Sequence, residues 1–294
     1  MIVVTTPTGH IGGQLVAKLL ASTDEPVRVV VRDRSRLPAQ VADAVEVVEG
    51  SHGDPATLAR AFKGADSVFW LVPTDGQAPS VYAAYVGFSI PAAQALVDHA
   101  VSRAVVVSAL GRGYQGFTGH VSGSLALEDL FGSTGVHLRS LNLPSFMDNL
   151  LWQVGAMKST GAFYGAVDGD LRLPSVATRD IAAEACRLLT DPTWTGQASH
   201  PVLGPADLSF DDMAEILTEV LETPIRYQQV TSEGYRDGFV QRGQSPQMAA
   251  GMLAMALAKN AGLDTMVQRT AESTTPTTFR QFCEDTLKPA FERA

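Results

Sequence analysis

Cysteine is scarce in this sequence, which contains only Cys186 and Cys283 among 294 residues. The two lie far apart and match no metal-ligand or redox spacing, so we expect reduced structural thiols, no metal site and a cytoplasmic location. Basic residues are also few, with 22 Lys and Arg against 31 Asp and Glu. The resulting net charge of −9 argues against a nucleic-acid partner, which would need a basic face.

Long apolar runs are absent as well. No run reaches the roughly 20 residues that span a bilayer, and no basic segment precedes an apolar stretch at the start of the sequence. We therefore expect neither a membrane partner nor a signal peptide. The hydrophobic content of 45% and the charged content of 18% are typical of a globular protein. The length allows one large domain and a smaller appendage.

The first twenty residues organise the rest of the chain. Residues 1–4 are apolar and mostly β-branched, which predicts a strand buried on both faces of a parallel sheet. A polar turn follows at 5–9, and apolar residues then recur at helical spacing from Ile11 to Leu20. A strand, a tight turn and a helix in this order are typical of a dinucleotide site. Backbone N–H groups and the positive end of the helix face a pyrophosphate there.

The glycine pattern of this turn is incomplete. A fingerprint with glycine at every third residue would need glycine at positions 6, 9 and 12, and the chain has Thr6, Gly9 and Gly12. Gly9 allows the backbone to approach a phosphate, and Gly12 allows the helix to lie close to the strand. Thr6 carries a Cβ, so the turn must keep a negative φ or accept strain. Two glycines alone are equally consistent with a simple tight turn.

A cluster of charges follows the second predicted strand, residues 27–31. Arg32 lies 20 residues after Gly12, where NAD-dependent enzymes usually place an acid on the ribose 2′-OH. An arginine suits the 2′-phosphate of NADP instead, because it forms charge-assisted bonds to phosphate oxygens. We therefore predict NADP(H) as the preferred cofactor. The adjacent Asp33 leaves NAD(H) open, and a plain solvated turn is the alternative.

Strands and helices alternate through the first half of the chain. Further strands are predicted at 45–49, 65–72, 103–109 and 136–141, with helices at 55–62, from Ser89 to about residue 100, and from about 120 to 131. The segment 75–88 is interpreted as a candidate flap. This alternation predicts an α/β fold, a Rossmann-type doubly wound parallel sheet with right-handed crossovers.

The pattern changes after Asn142, where residues 143–150 mix apolar and polar side chains and form a candidate pocket wall. A helix at 178–189, a short strand at 201–203, a helix capped by Ser209 and a last helix capped by Thr277 follow. We predict an NAD(P)-binding domain over 1–150, to which about 175–203 returns. A smaller C-terminal α/β lobe for the substrate is predicted over 204–294.

Several segments together resemble the NmrA-like, or HSCARG-like, atypical short-chain dehydrogenase/reductases over nearly the whole chain. They are Thr-Gly-His-Ile-Gly (8–12), Val-Arg-Val-Val-Val-Arg (27–32), Ser-Ala-Leu-Gly (108–111), Leu-Pro-Ser-Phe-Met-Asp-Asn-Leu (143–150), Arg-Asp-Ile-Ala (179–182), Gly-Pro-Ala-Asp-Leu-Ser (204–209) and Pro-Thr-Thr-Phe (276–279). The resemblance implies a Rossmann fold that binds NAD(P)(H), with a small C-terminal lobe.

The resemblance also implies a set of cofactor residues. The dinucleotide would lie over the opening turn, with an arginine at the adenosine ribose or its phosphate and a serine near the adenine. Residues 72–74 would line the middle of the cofactor, and Ser108, Pro144 and Phe146 would line its nicotinamide end. The full set of cofactor residues is Thr6, Thr8, Gly9, His10, Ile11, Gly12, Arg32, Ser51, Val72, Pro73, Thr74, Ser108, Pro144 and Phe146. Tyr114, Asn149 and Trp152 are the candidate substrate-pocket residues.

One departure from the family bears on mechanism. Short-chain dehydrogenases carry Tyr-x-x-x-Lys on the helix after the fifth strand, and here His120 and Ser124 stand at those two positions. An alcohol or ketone dehydrogenase of the usual mechanism is therefore not expected. His120 is the candidate proton donor, since the ordinary pKa of histidine is about 6.5, although a helix cap is the simpler interpretation.

Three functional hypotheses follow. The first is an NADPH-dependent oxidoreductase that reduces a quinone-like or conjugated small molecule. The second is a non-catalytic regulatory protein that senses NADP(H), and the third is a non-redox enzyme that reuses the pocket. We prefer the first, because Phe146, Asn149 and Trp152 indicate a partly apolar pocket with a polar anchor. A homodimer is left open.

Overall fold

The computed structural model describes all 294 residues and is built around a seven-stranded parallel sheet. The strands of the chain are β1 (Ile2–Thr5), β2 (Val27–Val31), β3 (Glu46–Glu49), β4 (Ser67–Trp70), β5 (Arg103–Ala109), β6 (His137–Leu143), β7 (Ser145–Phe146), β8 (Ala162–Gly165), β9 (Leu173–Val176), β10 (Gln197–Pro201), β11 (Asp207–Leu208) and β12 (Arg226–Gln229). The sheet order is β10-β6-β5-β4-β1-β2-β3, with every pair parallel. The strand order reverses between β1 and β4, which is where ligands bind in such sheets. The predicted fold class is confirmed.

Helices cover both faces of this sheet. They are α1 (His10–Ser22), α2 (Ala39–Ala44), α3 (Pro55–Phe62), α4 (Phe88–Asp98), α5 (His120–Gly132), α6 (Val154–Thr160), α7 (Thr178–Thr190), α8 (Phe210–Leu221), α9 (Ser232–Gln241), α10 (Pro246–Asn260), α11 (Phe279–Phe282) and α12 (Lys288–Arg293). Successive side chains of a strand point to opposite faces, so Val4 packs with Leu15 and Ile181 of α1 and α7. Val3 packs on the other side with Leu58 and Leu127 of α3 and α5.

A third hydrophobic cluster lies outside the two sheet faces. It joins Met147 and Leu150 of the 3₁₀ helix Met147–Gln153 to Phe163, Leu217 and Phe282. Strands β8 and β12 pair in parallel beside it. The residues that directly follow β7 therefore pack with the C-terminal elements rather than with the large sheet. The division at residues 150 and 204 stays a prediction.

The fourth helix begins earlier than the sequence pattern predicts. Residues 81–82 are already helical and lead through a π-helical turn, Ala83–Gly87, directly into α4. Ser89 is not an N-cap but is buried, and it accepts a hydrogen bond from Trp70 Nε1 at 3.2 Å. Pro91 lacks the N–H of a helix interior and its ring crowds the preceding turn, which is where the π-turn lies. The predicted flap is therefore helical in its second half.

Two other boundaries differ from the prediction. Thr278, not Thr277, caps α11, because the backbone N–H and the side chain of Thr277 both donate to the buried carboxylate of Asp180. The seventh strand of the sheet is β10 rather than 201–203, and its side chains are mostly exposed. Because its side chains are mostly exposed, this edge strand lacks the apolar pattern by which a strand is recognised in a sequence. None of the helices has both the length and the apolar composition needed to cross a membrane.

Candidate functional site

A cleft of about 400 Å³ opens at the carboxyl ends of β1, β2 and β4. It brings together eleven of the residues predicted for cofactor or substrate, namely Thr6, Thr8, Gly9, His10, Ile11, Gly12, Arg32, Pro73, Phe146, Asn149 and Trp152. The turn and the arginine come from the large sheet, whereas Asn149 and Trp152 come from the 3₁₀ helix that follows β7. The cleft is therefore a junction between the sheet and the third cluster.

The floor of the cleft is the turn between β1 and α1. Thr6 adopts a φ of +53°, which is rare for a β-branched residue and costs of order 1–2 kcal/mol. Of the two alternatives that the sequence left for Thr6, a negative φ or backbone strain, the structure has the strain. A Cβ on Gly12 would lie 2.1 Å from the Thr6 carbonyl oxygen, so only glycine permits this approach of helix to turn. Thr6 Oγ1 is buried without a hydrogen-bond partner.

The N-terminus of α1 points into the same space. Its N-cap residue, Gly9, has no side chain that could satisfy the first N–H groups of the helix. Free N–H groups at a helix N-terminus attract anions, because they add to the positive end of the helix dipole. The close approach at Gly12, the orphaned hydroxyl of Thr6 and these N–H groups fit the diphosphate of a dinucleotide.

The end of the cleft beside β2, where the adenosine is predicted, is positively charged. Arg32 and Arg36 both line it, and neither guanidinium is held in an ion pair or a side-chain hydrogen bond. Asp33 does not line the cleft. Its carboxylate accepts hydrogen bonds from Ser35 Oγ at 2.7 Å and from Ser35 N at 2.9 Å, which hold the pKa of Asp33 below its usual value. The acid next to Arg32 in the sequence is therefore directed into its own turn.

His52 lines the cleft and was missed at the sequence level. Its ring lies edge-on to Trp70 and Phe88, with centroid distances of 5.2 and 5.0 Å, and its Nε2 lies 3.2 Å from the Leu71 carbonyl oxygen. Burial lowers its pKa to about 4, so the ring is neutral at pH 7. Since a carbonyl only accepts, Nε2 carries the proton and Nδ1 is an acceptor with no partner in the protein. A histidine beside Ser51, directly after β3, was the available signal.

Six predicted residues do not line the cleft. They are Ser51, Val72, Thr74, Ser108, Pro144 and Tyr114. Ser51 Oγ accepts from the Gly53 N–H at 3.2 Å, and Val72, Pro144 and Ser108 are buried. Ser108 Oγ donates to the buried Glu128 carboxylate at 2.8 Å. Tyr114 packs against a small apolar cluster around Leu263.

His120 lies at the start of α5 and is also outside the cleft lining. Its Nε2 is 3.2 Å from the Met248 carbonyl oxygen, and its Nδ1 is 3.3 Å from the Tyr85 hydroxyl. Burial lowers its pKa, so the ring is neutral. Both nitrogens are occupied inside the protein. A direct proton-donating role for His120 stays a prediction that this geometry disfavours.

Asp148, which falls within the predicted pocket wall 143–150, and Thr178, which was predicted only as a helix residue, close one side of the cleft. The Asp148 carboxylate accepts from Thr178 N at 2.9 Å and from Thr178 Oγ1 at 2.6 Å, which satisfies the start of α7. Gln14 Nε2 of α1 donates to Thr178 Oγ1 at 3.0 Å. A second opening of about 480 Å³ shares Thr8 and His10 with the cleft, so the space continues past the start of α1.

Known proteins resemble this chain over most of its length. The profile of a family described as NAD(P)H-binding matches residues 7–128. An NAD(P)H azoreductase of Xenophilus azovorans is 30% identical over 252 residues, which are 86% of this chain and 85% of that protein. A (4-alkanoyl-5-oxo-2,5-dihydrofuran-3-yl)methyl phosphate reductase of Streptomyces griseus is 29% identical over 284 residues, 96% of this chain and 95% of that one. The crystal structure of the Citrobacter sp. triphenylmethane reductase complexed with NADP(H) covers 97% of this chain and 99% of that one, with a TM-score of 0.80 at 20% identity.

Replacing Gly12 with Ala should lower the melting temperature and abolish NADPH binding, because its Cβ would lie 2.1 Å from the Thr6 carbonyl oxygen. The matched control is Gly155→Ala in α6, since no atom lies within 4 Å of that Cβ position and Ala favours a helix by about 1 kcal/mol. Thermal melting with and without NADPH measures both effects. A Gly12→Ala protein that melts and binds like the wild type would contradict the packing argument.

Replacing Arg32 or Arg36 with Ala should weaken the binding of 2′,5′-ADP by roughly tenfold each, because each change removes about 1.5 kcal/mol of charge-assisted bonding to the 2′-phosphate. Binding of 5′-ADP should change little. Arg34→Ala is the control, since Arg34 does not line the cleft and donates to the Ala42 carbonyl oxygen instead. Titration calorimetry with both ligands makes the comparison. Equal losses for the two ligands would contradict this assignment.

The depressed pKa of His52 makes a prediction about stability and pH. Since the folded pKa is about 4 and the usual value is 6.5, folding favours the neutral ring. The stabilisation is complete above pH 6.5 and is lost as the pH falls through 4, by an amount of order 3 kcal/mol. His52→Gln should therefore lose less free energy of unfolding over this interval than the wild type. Urea denaturation at several pH values measures it, with Ser51→Ala as the control that should follow the wild type.

Proposed function

The chain belongs to the NAD(P)H-binding family of oxidoreductases, and from this premise we propose that it uses NADPH to reduce a quinone-like or conjugated small molecule. The observation that carries the proposal is the cleft itself. One continuous space joins the free N–H groups of α1, two arginines without partners and an aromatic wall. We also propose that the chain belongs to the NmrA-like branch of the family and acts in the cytoplasm.

The preference for NADPH rests on the charges at the adenosine end. Arg32 and Arg36 offer two planar guanidinium groups where the 2′-phosphate would lie, and a guanidinium matches a phosphate with paired hydrogen bonds. An NAD-specific site would instead direct a carboxylate at the 2′-hydroxyl. Asp33, the candidate for that role, is turned to Ser35. The proposal keeps NAD(H) as a weaker cofactor.

The residues that would hold the dinucleotide divide along the cleft. Thr8, Gly9 and Ile11 would hold the diphosphate on the positive end of α1, and His52 would offer a neutral acceptor to the base. Phe146 would lie toward the nicotinamide half. When bound, the reduced nicotinamide supplies the hydride. The protein would bind the cofactor, orient it toward the substrate and shield both from water.

The substrate class follows from the wall of the cleft and from what α5 lacks. Phe146 and Trp152 offer aromatic surface, with Trp152 85% exposed, and Asn149 offers an amide at the same wall. Aromatic faces favour planar, conjugated molecules. Ser124 stands where a lysine would assist an alcohol or ketone. An acceptor that delocalises the incoming electron pair needs less help of this kind, and the azo group, the oxo-dihydrofuran and the triphenylmethane dyes named in the relatives are all conjugated.

The experiment is NADPH oxidation, followed at 340 nm, with menadione, an azo dye and crystal violet as acceptors. We expect steady oxidation with at least one of them, and a larger rise in melting temperature with NADPH than with NADH. A matched variant is Trp152→Ala, which should raise KM for the acceptor without changing the NADPH-induced melting shift.

Other outcomes distinguish the remaining hypotheses. A melting shift with NADPH but no oxidation with any acceptor would favour a sensor of NADP(H). Absence of any shift with either cofactor at millimolar concentration would overturn both the reductase and the sensor.

A further inference from the structure

A tyrosine that no sequence pattern singles out lies beside His120. The Tyr85 hydroxyl is 3.3 Å from His120 Nδ1 and 3.4 Å from Thr74 Oγ1. Thr74 directly follows Pro73, which lines the cleft, and Ser124 lies one helical turn after His120 on α5. The cluster therefore lies at the carboxyl ends of β4 and β5, beside the space assigned to the dinucleotide.

The position of the phenol is built by the surrounding helices. Tyr85 belongs to the π-helical turn Ala83–Gly87, and such turns occur frequently at functional sites. A Cβ on Gly123 of α5 would lie 2.9 Å from the Tyr85 ring, so glycine is what lets the ring lie against that helix. On the other side, a Cβ on Gly251 of α10 would lie 3.3 Å from the His120 ring. Two helices thus make room for the pair.

The hydrogen-bond chain has a fixed direction. The Met248 carbonyl can only accept, so His120 Nε2 carries a proton, and Nδ1 of the neutral ring is an acceptor. The Tyr85 O–H therefore donates to Nδ1. Its oxygen keeps two lone pairs, and one of them accepts from Thr74 Oγ1. Burial raises the pKa of Tyr85, which keeps this proton in place throughout the neutral range.

Resting on the proposed function, we propose that Tyr85 is the proton donor of this reductase and that His120 is a positioning residue that orients its hydroxyl. The substrate takes a hydride from the reduced nicotinamide, and the electron pair of its conjugated bond arrives on an oxygen or nitrogen. The Tyr85 hydroxyl turns from His120 Nδ1 to that atom, its O–H bond breaks, and the proton forms a new bond there. The phenolate takes a proton back from water, with Thr74 donating a hydrogen bond to it meanwhile.

This assignment accounts for the residues at the two family positions on α5. The phenol of a Tyr-x-x-x-Lys pair would come from position 120, and here it comes from the preceding helix, with position 120 holding it in place. Position 124, where the family has a lysine, is a serine one helical turn after His120, so no cation stands at that position. A phenol thus lies next to position 120 in this chain as well, but it belongs to Tyr85 of the preceding helix.

The test compares acceptors that differ in their need for a proton. Menadione gains an oxyanion on hydride transfer, whereas crystal violet is a cation that becomes neutral and needs no proton. Tyr85→Phe should lower kcat/KM for menadione by at least roughly tenfold, since a general acid contributes about 10²–10⁴-fold. It should leave crystal violet reduction within about twofold. Tyr82→Phe, on the same helix with a half-exposed ring, is the control and should match the wild type with both acceptors.

Folding and cofactor binding are checked separately from activity. The NADPH-induced shift in melting temperature should be the same in Tyr85→Phe and in the wild type. In ¹⁵N-histidine NMR, the Nδ1 resonance of His120 should move toward that of an unbonded nitrogen in Tyr85→Phe, while Nε2 stays protonated. His120→Asn, which keeps an acceptor near Nδ1, should retain more menadione reduction than His120→Leu.

Each outcome decides the assignment. If Tyr85→Phe reduces menadione as fast as the wild type does, the assignment of Tyr85 as proton donor is overturned, but the proposed function is not. Equal slowing with both acceptors shows a structural role and likewise overturns the assignment. If the wild type oxidises NADPH with neither acceptor, the proposed function fails and this inference fails with it.

Discussion

The contact on which the cleft depends is the approach of α1 to the turn that precedes it. Gly12 lies against the carbonyl of Thr6 at a distance that no other residue permits, and Thr6 accepts a left-handed conformation to make the turn. This contact directs the N-terminus of α1 at the carboxyl ends of β1 and β4, where the strand order reverses. The strained Thr6 and the required Gly12 thus together shape the floor of the cleft, which attracts anions.

The walls of the cleft are supplied by segments remote in sequence. Asp148, from the 3₁₀ helix after β7, bonds the start of α7, and Gln14 of α1 reaches the same threonine. On the far side, the Met248 carbonyl of α10 holds His120 of α5. The C-terminal elements therefore act on the sheet at two places, once beside the diphosphate floor and once beside the Tyr85 cluster.

Buried polar groups specify more of this arrangement than exposed ion pairs do. His52 and His120 are both buried and neutral, and each has its tautomer set by a backbone carbonyl. In both cases Nε2–H donates a hydrogen bond to the carbonyl, which leaves Nδ1 as the acceptor. At His52 that acceptor has no partner within the protein, whereas at His120 it receives the Tyr85 hydroxyl. The same side chain thus serves two roles through its neighbours.

Local pattern determined the sheet, the opening turn and the charge at the adenosine end, because these depend on residues close in sequence: an apolar strand, two glycines and an arginine 20 residues beyond the second. The neighbours of each polar side chain were decided only by the tertiary structure. Ser51 lies just after β3 and Ser108 near the end of β5, yet Ser51 bonds within its own loop and Ser108 bonds the buried Glu128, while His52 faces the cleft. Tyr85 meets His120 across 35 residues, and Met248 meets it across 128. Contacts of this kind arise when helices pack, and no periodicity along the chain encodes them.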